Sequence, residues 1–179
     1  MSYFEFDGKQ VYYGVEGEGE PLLLLHGNSI SSNIFKHITP KFKDHFKVFY
    51  FDYPGIGKSE RIDRFRDDYW YYNGLCGFEL MDKLGIEKTN IIGTSGGALV
   101  GLNMASTQPG RVKKLVADSF GGDYLTEEEA HKFNARRKIL AENKMSQMYF
   151  KNHIGEDWRE VLPQDMDLME RVGKNNLKI

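Results

Sequence analysis

The sequence predicts an α/β protein with a mostly parallel sheet, helices on both faces, and a helical region after the last predicted strand. Two observations carry this prediction. Short apolar runs without alternation recur along the chain, and such runs are typical of strands buried on both faces of a parallel sheet. Segments with helical period lie between them, and strands that alternate with helices require crossover connections. The apolar runs are residues 22–25, 47–51, 90–92 and 113–117.

The predicted elements follow in an order that suits such a sheet. A hairpin comes first, with strands at residues 3–6 and 11–15 around the turn Asp7-Gly8. Three helices follow between the apolar runs, the second with Gly85 as its C-cap and the third rich in small residues that allow close packing on the sheet. These helices are predicted over residues 33–42, 68–84 and 97–107.

After these elements the chain has no further long strand-like run. This change predicts a core domain over residues 1–120 and a helical region over residues 121–179. Thr126 and Glu129 have the spacing of a capping box. Further helical pattern lies around residues 145–150 and 166–172, divided by Gly155 and Pro163.

Composition agrees with a single domain that buries a core. The chain has 179 residues, 40% of them hydrophobic, and a mean hydropathy of -0.53. With 24 Lys and Arg against 26 Asp and Glu, the net charge is -2, which provides no electrostatic attraction for nucleic acid or anionic lipid. We therefore expect no nucleic-acid partner and no membrane partner.

The single cysteine and the N-terminus both favour a reducing compartment. Cys76 has no second cysteine for a disulfide or a zinc cluster. Residues 1–8 lack the basic and apolar regions of a secretory signal. The longest aliphatic run, residues 22–25, is far shorter than the roughly 20 residues of a membrane span. We expect a cytoplasmic protein without a metal site or a cofactor.

The strongest functional signal is Gly93-Thr94-Ser95-Gly96-Gly97, which directly follows a predicted strand and directly precedes a predicted helix. A strand, a sharp turn and a helix are the context of a nucleophile elbow. Serine at the tip of such a turn exposes its hydroxyl, while Gly93 and Gly97 avoid clashes with neighbouring backbone. Ser95 is therefore the candidate catalytic nucleophile. A glycine-rich turn of a dinucleotide-binding fold is the alternative interpretation.

A second motif, His26-Gly27-Asn28, follows the predicted strand at residues 22–25. Hydrolases with a nucleophile elbow place their second oxyanion donor at this position. The backbone N–H groups of Asn28 and Gly96 are the candidate oxyanion donors, and each such donor is worth roughly 3 kcal/mol in the transition state. His26 then shapes the loop and transfers no proton, and residues 26–28 are expected to border the pocket that Ser95 faces. An ordinary strand-end turn with a buried histidine is the alternative.

The third motif is DYPGIGKS at residues 52–59, after the strand at 47–51. Its last three residues, Gly57-Lys58-Ser59, resemble the end of a phosphate-binding P-loop. However, Asp52 stands where that loop needs its first glycine, and Pro54 has no N–H to offer a phosphate. Asp52 is therefore interpreted as a structural residue of the motif.

With these three motifs in this order, the chain resembles the N-terminal part of an α/β-hydrolase fold protein. The resemblance covers residues 1–120, and the helices after it are similar to the cap of valacyclovir-hydrolase-like esterases. It implies a serine hydrolase that acts on a small-molecule ester, thioester, lactone or similar acyl substrate through an acyl-enzyme at Ser95. Epoxide hydrolases and haloalkane dehalogenases resemble this layout but carry aspartate as the nucleophile, so Ser95 excludes those branches.

The order of catalytic residues in the family is serine, then an acid, then histidine. The acid and the histidine usually follow the seventh and eighth strands, and residue 179 is reached where the seventh strand is expected. The triad acid and histidine are therefore expected to be missing from this chain. Asp118, after the sixth predicted strand, is a candidate acid, although a strand-end turn also explains it. His131 and His153 are candidate substitutes for the base, with helix packing as the alternative.

The alternative function is a truncated, non-catalytic product of the same fold that binds a small molecule or a partner. Cys76 and the aromatic residues 69–72 are interpreted as packing residues, because the thiol has no base and the aromatic run has no basic groove. A sheet that stops at its sixth strand exposes residues 113–117 as an edge with unpaired backbone groups. We therefore expect self-association through this edge or by exchange of the C-terminal helices.

Overall fold

A computed structural model describes residues 1–122 and 125–175 of the chain. The strands in this part are β1 (Ser2–Phe6), β2 (Lys9–Glu16), β3 (Glu20–Leu25), β4 (Phe46–Phe51), β5 (Thr89–Thr94) and β6 (Val112–Asp118). The α-helices are α1 (Tyr69–Lys83), α2 (Gly96–Thr107), α3 (Glu127–Glu142), α4 (Lys144–His153) and α5 (Trp158–Lys174). The strands form one six-stranded sheet in the order β1-β2-β4-β3-β5-β6.

The sheet is parallel except at one end. β1 and β2 form an antiparallel hairpin, β2 is antiparallel to β4, and β4, β3, β5 and β6 run parallel. The predicted α/β fold class with a mostly parallel sheet is therefore confirmed. Leu25 lies beside Gly93, and Gly93 lies beside Ala117. The carboxyl ends of β3, β5 and β6 thus meet at one edge of the sheet, where α/β folds bind their ligands.

Apolar side chains fill both faces of the sheet. Leu23 and Ile91, which are at most 1% exposed, belong to the larger cluster with α1 and α2. On the other face, Leu22 and Leu24 pack with Phe35 from a short helical turn. α2 approaches the sheet closely, as its small residues predict.

Two predicted elements differ from the observed ones because of proline. Residues 33–42 form two 3-10 helices, Ser32–His37 and Thr39–Lys41, and not one α-helix. Pro40 has no N–H and disfavours the α conformation at the residue before it. Pro163 lies inside α5 and does not divide two helices. Its ring removes one hydrogen bond near the start of the helix, while the apolar face of α5 stays packed.

The helices after β6 begin with the predicted capping box. Thr126 Oγ1 accepts from the Glu129 N–H at 3.2 Å, and Glu129 Oε2 accepts from the Thr126 N–H at 2.9 Å. α3 packs on α5, and α4 packs on the 3-10 helix Ser32–His37. Arg61 joins these helices to the sheet region, because its guanidinium donates to both carboxylate oxygens of Asp157 at 2.7 Å.

The division into residues 1–120 and 121–179 stays a prediction, and residues 123–124 and 176–179 of the second segment lie outside the described part. β6 is the outer strand of the described sheet, and Lys113, Lys114 and Val116 are exposed on it. The run at 113–117 is therefore not buried on both faces as its sequence predicts. Among the described helices, none is both long enough and apolar enough to cross a membrane.

Candidate active site

Ser95 lies at the tip of the turn between β5 and α2. Its backbone has a φ of 54° and a ψ of -121°, a strained conformation that residues with a side chain rarely adopt. The Ser95 N–H donates to the carbonyl oxygen of Asp118 at 2.8 Å. The neighbouring hydroxyls of Thr94 and Ser119 donate to the Asp118 carboxylate, whereas Ser95 Oγ has no partner among the described residues. The turn therefore presents an exposed, unbonded hydroxyl at the edge of the sheet.

Glycines allow the backbone to come this close. A Cβ on Gly93 would collide with the carbonyl oxygen of Gly97, and a Cβ on Gly97 would collide with the carbonyl oxygen of Leu25. Both obstacles are backbone atoms, which cannot rotate away as a side chain can. A Cβ on Gly27 would lie 3.2 Å from Ser95 Cβ. These close approaches are the physical reason for glycine on both sides of Ser95 and in the loop opposite.

The loop after β3 lies directly against the start of α2. Gly96 is the first residue of α2, so its N–H has no acceptor within the helix, and the Asn28 N–H also has no acceptor among the described residues. The Asn28 side chain is held from two sides: Oδ1 accepts from Trp70 Nε1 at 3.1 Å, and Nδ2 donates to Asp165 Oδ1 at 2.9 Å. A Cβ on Gly96 would collide with Asn28 Oδ1. Two N–H groups are thus left unbonded next to Ser95.

His26 is fully buried behind this loop. Its Nδ1 donates to the Gly27 carbonyl oxygen at 2.8 Å, and its Nε2 accepts from the Tyr53 N–H at 3.3 Å. These partners assign the proton to Nδ1, because a carbonyl only accepts and an N–H only donates. Burial lowers the pKa of His26 to about 4, against an opposing effect of Asp52. At pH 7 His26 is therefore neutral, with both ring nitrogens occupied.

Asp52 organises the turn at residues 52–59. Its Oδ1 accepts from the Ser32 N–H and its Oδ2 from the Lys58 N–H, both at 2.8 Å. The hydroxyl of Ser59 donates to the Asp52 carbonyl oxygen. Because the Lys58 N–H is bonded to a carboxylate of the same turn, it is not free to bind a phosphate as a P-loop N–H does.

A cavity of about 230 Å³ opens in front of Ser95. Asn28 lines it, but His26 and Gly27, which were predicted to border the same pocket, are not among its lining residues. The prediction is wrong for His26 because its ring packs on Tyr53, behind the loop. Most of the wall is apolar and combines the sheet edge with the C-terminal helices. The apolar lining residues are Trp70, Leu99, Phe120, Leu125, Phe133 and Met169.

A buried ion pair in this wall was not predicted from the sequence. Arg137 Nη2 lies 2.9 Å from Asp165 Oδ2, and the two side chains are 14% and 3% exposed. Ser29 Oγ also donates to Asp165. A signal was present in the sequence, since Asp165 stands between Leu162 and Leu168 on the apolar face of α5. A carboxylate at such a position needs a charged partner.

Neither the candidate acid Asp118 nor the candidate bases His131 and His153 form a hydrogen bond with Ser95 Oγ in the described structure. Asp118 ends β6 beside Ser95, but its carboxylate bonds to Thr94 and Ser119. His131 is exposed on α3, and His153 is buried next to the 3-10 helix Ser32–His37. Among the described residues that line the Ser95 cavity there is no histidine.

Cys76 and three of the four aromatic residues at 69–72 are buried packing residues, whereas Tyr71 is 41% exposed and does not fit that prediction. Cys76 is buried in α1, and burial raises the pKa of its thiol well above the ordinary value. Tyr69 and Trp70 are each 3% exposed. Trp70 also contributes to the site, because it lines the cavity and holds Asn28.

Comparison with known proteins identifies the family. A model of the alpha/beta hydrolase fold matches residues 20–144, which is more than half of the chain. The chain belongs to the alpha/beta hydrolase fold family. It is 30% identical over 121 residues to the cis-3-alkyl-4-alkyloxetan-2-one decarboxylase of Shewanella oneidensis, covering 66% of this chain and 38% of that protein. It is 33% identical over 118 residues to the 2-hydroxy-6-oxo-6-phenylhexa-2,4-dienoate hydrolase of Comamonas testosteroni, covering 63% of this chain and 40% of that protein.

A solved structure shows the same fold over nearly the whole chain. Est816, described as an N-acyl homoserine lactone degrading enzyme, superposes with a TM-score of 0.71 at 17% identity, covering 94% of this chain and 74% of that one. The chain spans about two fifths of the length of the curated relatives that it matches.

Proposed function

We propose that the protein is a serine hydrolase that acts on an ester or a related acyl substrate through an acyl-enzyme at Ser95. The observation that carries this proposal is the geometry of Ser95. Its hydroxyl is exposed on a strained turn, it has no partner among the described residues, and it faces a cavity with a mostly apolar wall. Membership of a hydrolase family supports the proposal.

In the proposed reaction, Ser95 Oγ attacks the carbonyl carbon of the acyl group. The carbonyl oxygen gains negative charge, and the unbonded N–H groups of Asn28 and Gly96 donate to it. Each such donor is worth about 3 kcal/mol in the transition state. The leaving group departs with the serine proton, an acyl ester remains on Ser95, and water then releases the acid. The apolar wall suits an apolar acyl group.

The base is the part of the mechanism that the described cavity does not contain. Without a base, a serine hydroxyl is a poor nucleophile at neutral pH. We therefore expect the 179-residue chain by itself to acylate slowly, at a rate that rises about tenfold per pH unit as the alkoxide fraction increases. Efficient turnover would require a histidine and an acid in addition to the described residues that line this cavity.

A fluorophosphonate probe tests the proposal. We expect stoichiometric labelling of the chain on Ser95, faster at pH 9 than at pH 7, and none in Ser95→Ala. Ser119→Ala is the matched control, because Ser119 is an exposed serine of the same cavity and its loss should leave labelling intact. If the intact chain is not labelled at either pH, the alternative function, a non-catalytic protein that binds a small molecule or a partner, explains the structure better.

A further inference from the structure

A second cleft lies where the 3-10 helix Ser32–His37 and the turn at residues 52–59 meet the end of α4. Its volume is about 240 Å³, and it shares no lining residue with the Ser95 cavity. Most of its lining residues carry a polar or charged group, in contrast to the mostly apolar residues around Ser95. The proposed acyl-transfer reaction uses none of these side chains.

Two lysines line this cleft from the core side. Lys58 Nζ lies 4.2 Å from the centre of the Tyr12 ring, which forms part of the same wall. Lys36 comes close enough to His153, on the α4 side, for its positive charge to lower the pKa of that imidazole. Within residues 1–122 and 125–175, neither lysine forms an ion pair. The lysines that do are Lys9, Lys113, Lys132 and Lys151.

His153 provides an independent sign of a missing ligand. It lines the cleft and is only 6% exposed, yet its Nδ1 has no hydrogen-bond partner among the described residues. Burial lowers the pKa of His153 and the charge of Lys36 adds to this effect, while a hydrogen bond with the Ser31 backbone and the charge of Asp52 oppose it. Buried polar atoms without partners are rare in folded proteins. An anion next to this imidazole would partner it and offset the charge of Lys36.

The charged groups that face the cleft give it a net positive charge. Asp52 is the carboxylate in its wall, and both of its oxygens already accept backbone N–H groups. Glu16 lies behind the wall, where it accepts from the Tyr50 hydroxyl at 3.2 Å. Two ammonium groups therefore face one hydrogen-bonded carboxylate and one imidazole. Such a cleft attracts anions.

We propose that this cleft binds the phosphate group of a small molecule. Lys36 and Lys58 would hold the phosphate oxygens, with the hydroxyls of Ser31 and Ser32 as further donors. Lysine binds phosphate as a point charge, whereas bidentate recognition of a planar carboxylate is typical of arginine. Arg61, whose guanidinium lies next to Gly155 of the cleft wall, is already bonded to Asp157 and to backbone carbonyls.

This site is not a P-loop, since the Lys58 N–H is bonded to Asp52 and only the side chain is available. Its position has a structural consequence. Lys36 and Lys58 belong to the sheet region, while His153 belongs to α4, so a bound phosphate would bridge the sheet region and the C-terminal helices. Binding should therefore stabilise the contact between them, because a ligand specific for the folded state raises the unfolding temperature.

Thermal unfolding and calorimetry of the full chain with inorganic phosphate test the proposal. At constant ionic strength, we expect a saturable rise in Tm with phosphate and none with chloride or acetate. In the double variant Lys36→Gln/Lys58→Gln, the affinity for phosphate should fall by about tenfold or more. The control Lys88→Gln/Lys138→Gln removes the same charge from exposed positions elsewhere and should bind phosphate like the unaltered chain.

Histidine NMR gives a second readout on the unaltered chain, which does not depend on the folding of a variant. Phosphate should raise the pKa of His153, while the ring resonances of His131 should not respond to phosphate. Equal effects of acetate and phosphate, equal losses in the two double variants, or an unperturbed His153 would each overturn the proposal. Ser95→Ala should bind phosphate normally, so the result is independent of the proposed acyl-transfer activity.

Discussion

Backbone atoms around Gly97 leave no room for a side chain next to the Ser95 turn. The carbonyl oxygen of Leu25 occupies the space that a Cβ on Gly97 would need. We expect Gly97→Ala to lower the free energy of unfolding by at least about 2 kcal/mol, since overpacking against rigid atoms forces the backbone to shift. Urea denaturation measures the change. Gly110→Ala is the control, because nothing lies within 4 Å of its added Cβ; equal effects of the two substitutions would contradict this account.

His26 should make stability depend on pH. The folded protein keeps it neutral down to about pH 4, while the ordinary histidine pKa is 6.5. Between these values the unfolded chain binds more protons, so the free energy of unfolding falls as the pH decreases from about 6.5 to about 4. The loss from this group is about 3 kcal/mol over that window. Urea denaturation across the window measures it, and NMR titration of His26 near pH 6.5 in the folded protein would disprove the assignment.

The sequence predicts the position of a residue well only when the contacts of that residue are close to it in the chain. Ser95, Gly93 and Gly97 could be placed from the sequence because strand, turn and helix are contiguous in the chain. The partner of Asn28 could not be placed, since Asp165 lies 137 residues further along. Only the packing of α5 against the loop after β3 brings these two side chains together.

Two of the C-terminal helices, α3 and α5, are joined by the ion pair between Arg137 and Asp165. Both side chains are largely buried, so Asp165→Asn should leave an uncompensated guanidinium and lower the free energy of unfolding by about 3–5 kcal/mol. Arg137→Met/Asp165→Leu should recover part of this loss, because it removes both charges but leaves Asn28 Nδ2 and the Ser29 hydroxyl without their acceptor. Chemical denaturation measures both variants. Glu128→Gln breaks an exposed pair with Lys132 and should have almost no effect; a loss as small in Asp165→Asn would contradict the argument.

Element boundaries were predictable where hydrophobic period and caps agree, as at the capping box of α3. Proline has opposite consequences in two segments of the chain. At Pro40 it prevented an α-helix over residues 33–42, whereas at Pro163 it was tolerated inside α5. The difference is that α5 buries an apolar face along its length, and this packing outweighs one lost hydrogen bond, whereas the segment around Pro40 is short and mostly exposed at its end.

At the scale of the whole molecule, β6 remains the open edge of the described sheet. The C-terminal helices pack on one another and on the 3-10 helix Ser32–His37, and β6 packs mainly on β5 and α2. Val116 is 55% exposed on this strand. The self-association expected from the sequence therefore stays a prediction, now with a defined surface, since exposed edges pair readily with other chains.

Light scattering at increasing concentration measures this association. We expect the mass to rise towards that of a dimer, and Val116→Lys to weaken the association because a charge on an edge strand opposes pairing. Leu102→Lys, at a site that is 37% exposed on α2, is the control and should associate like the unaltered chain. A monomer at every concentration would show that this edge does not pair.

The proposed role of Ser95 as an acyl-accepting nucleophile can be tested by mass spectrometry of the intact chain after incubation with 4-nitrophenyl acetate. Because no histidine lines the described cavity, deacylation should be slow and the acyl-enzyme should accumulate. We expect one acetyl group per chain, mapped by peptide analysis to Ser95 and absent from Ser95→Ala. Acetylation confined to lysines or to Ser119, or an equal adduct on Ser95→Ala, would contradict the claim.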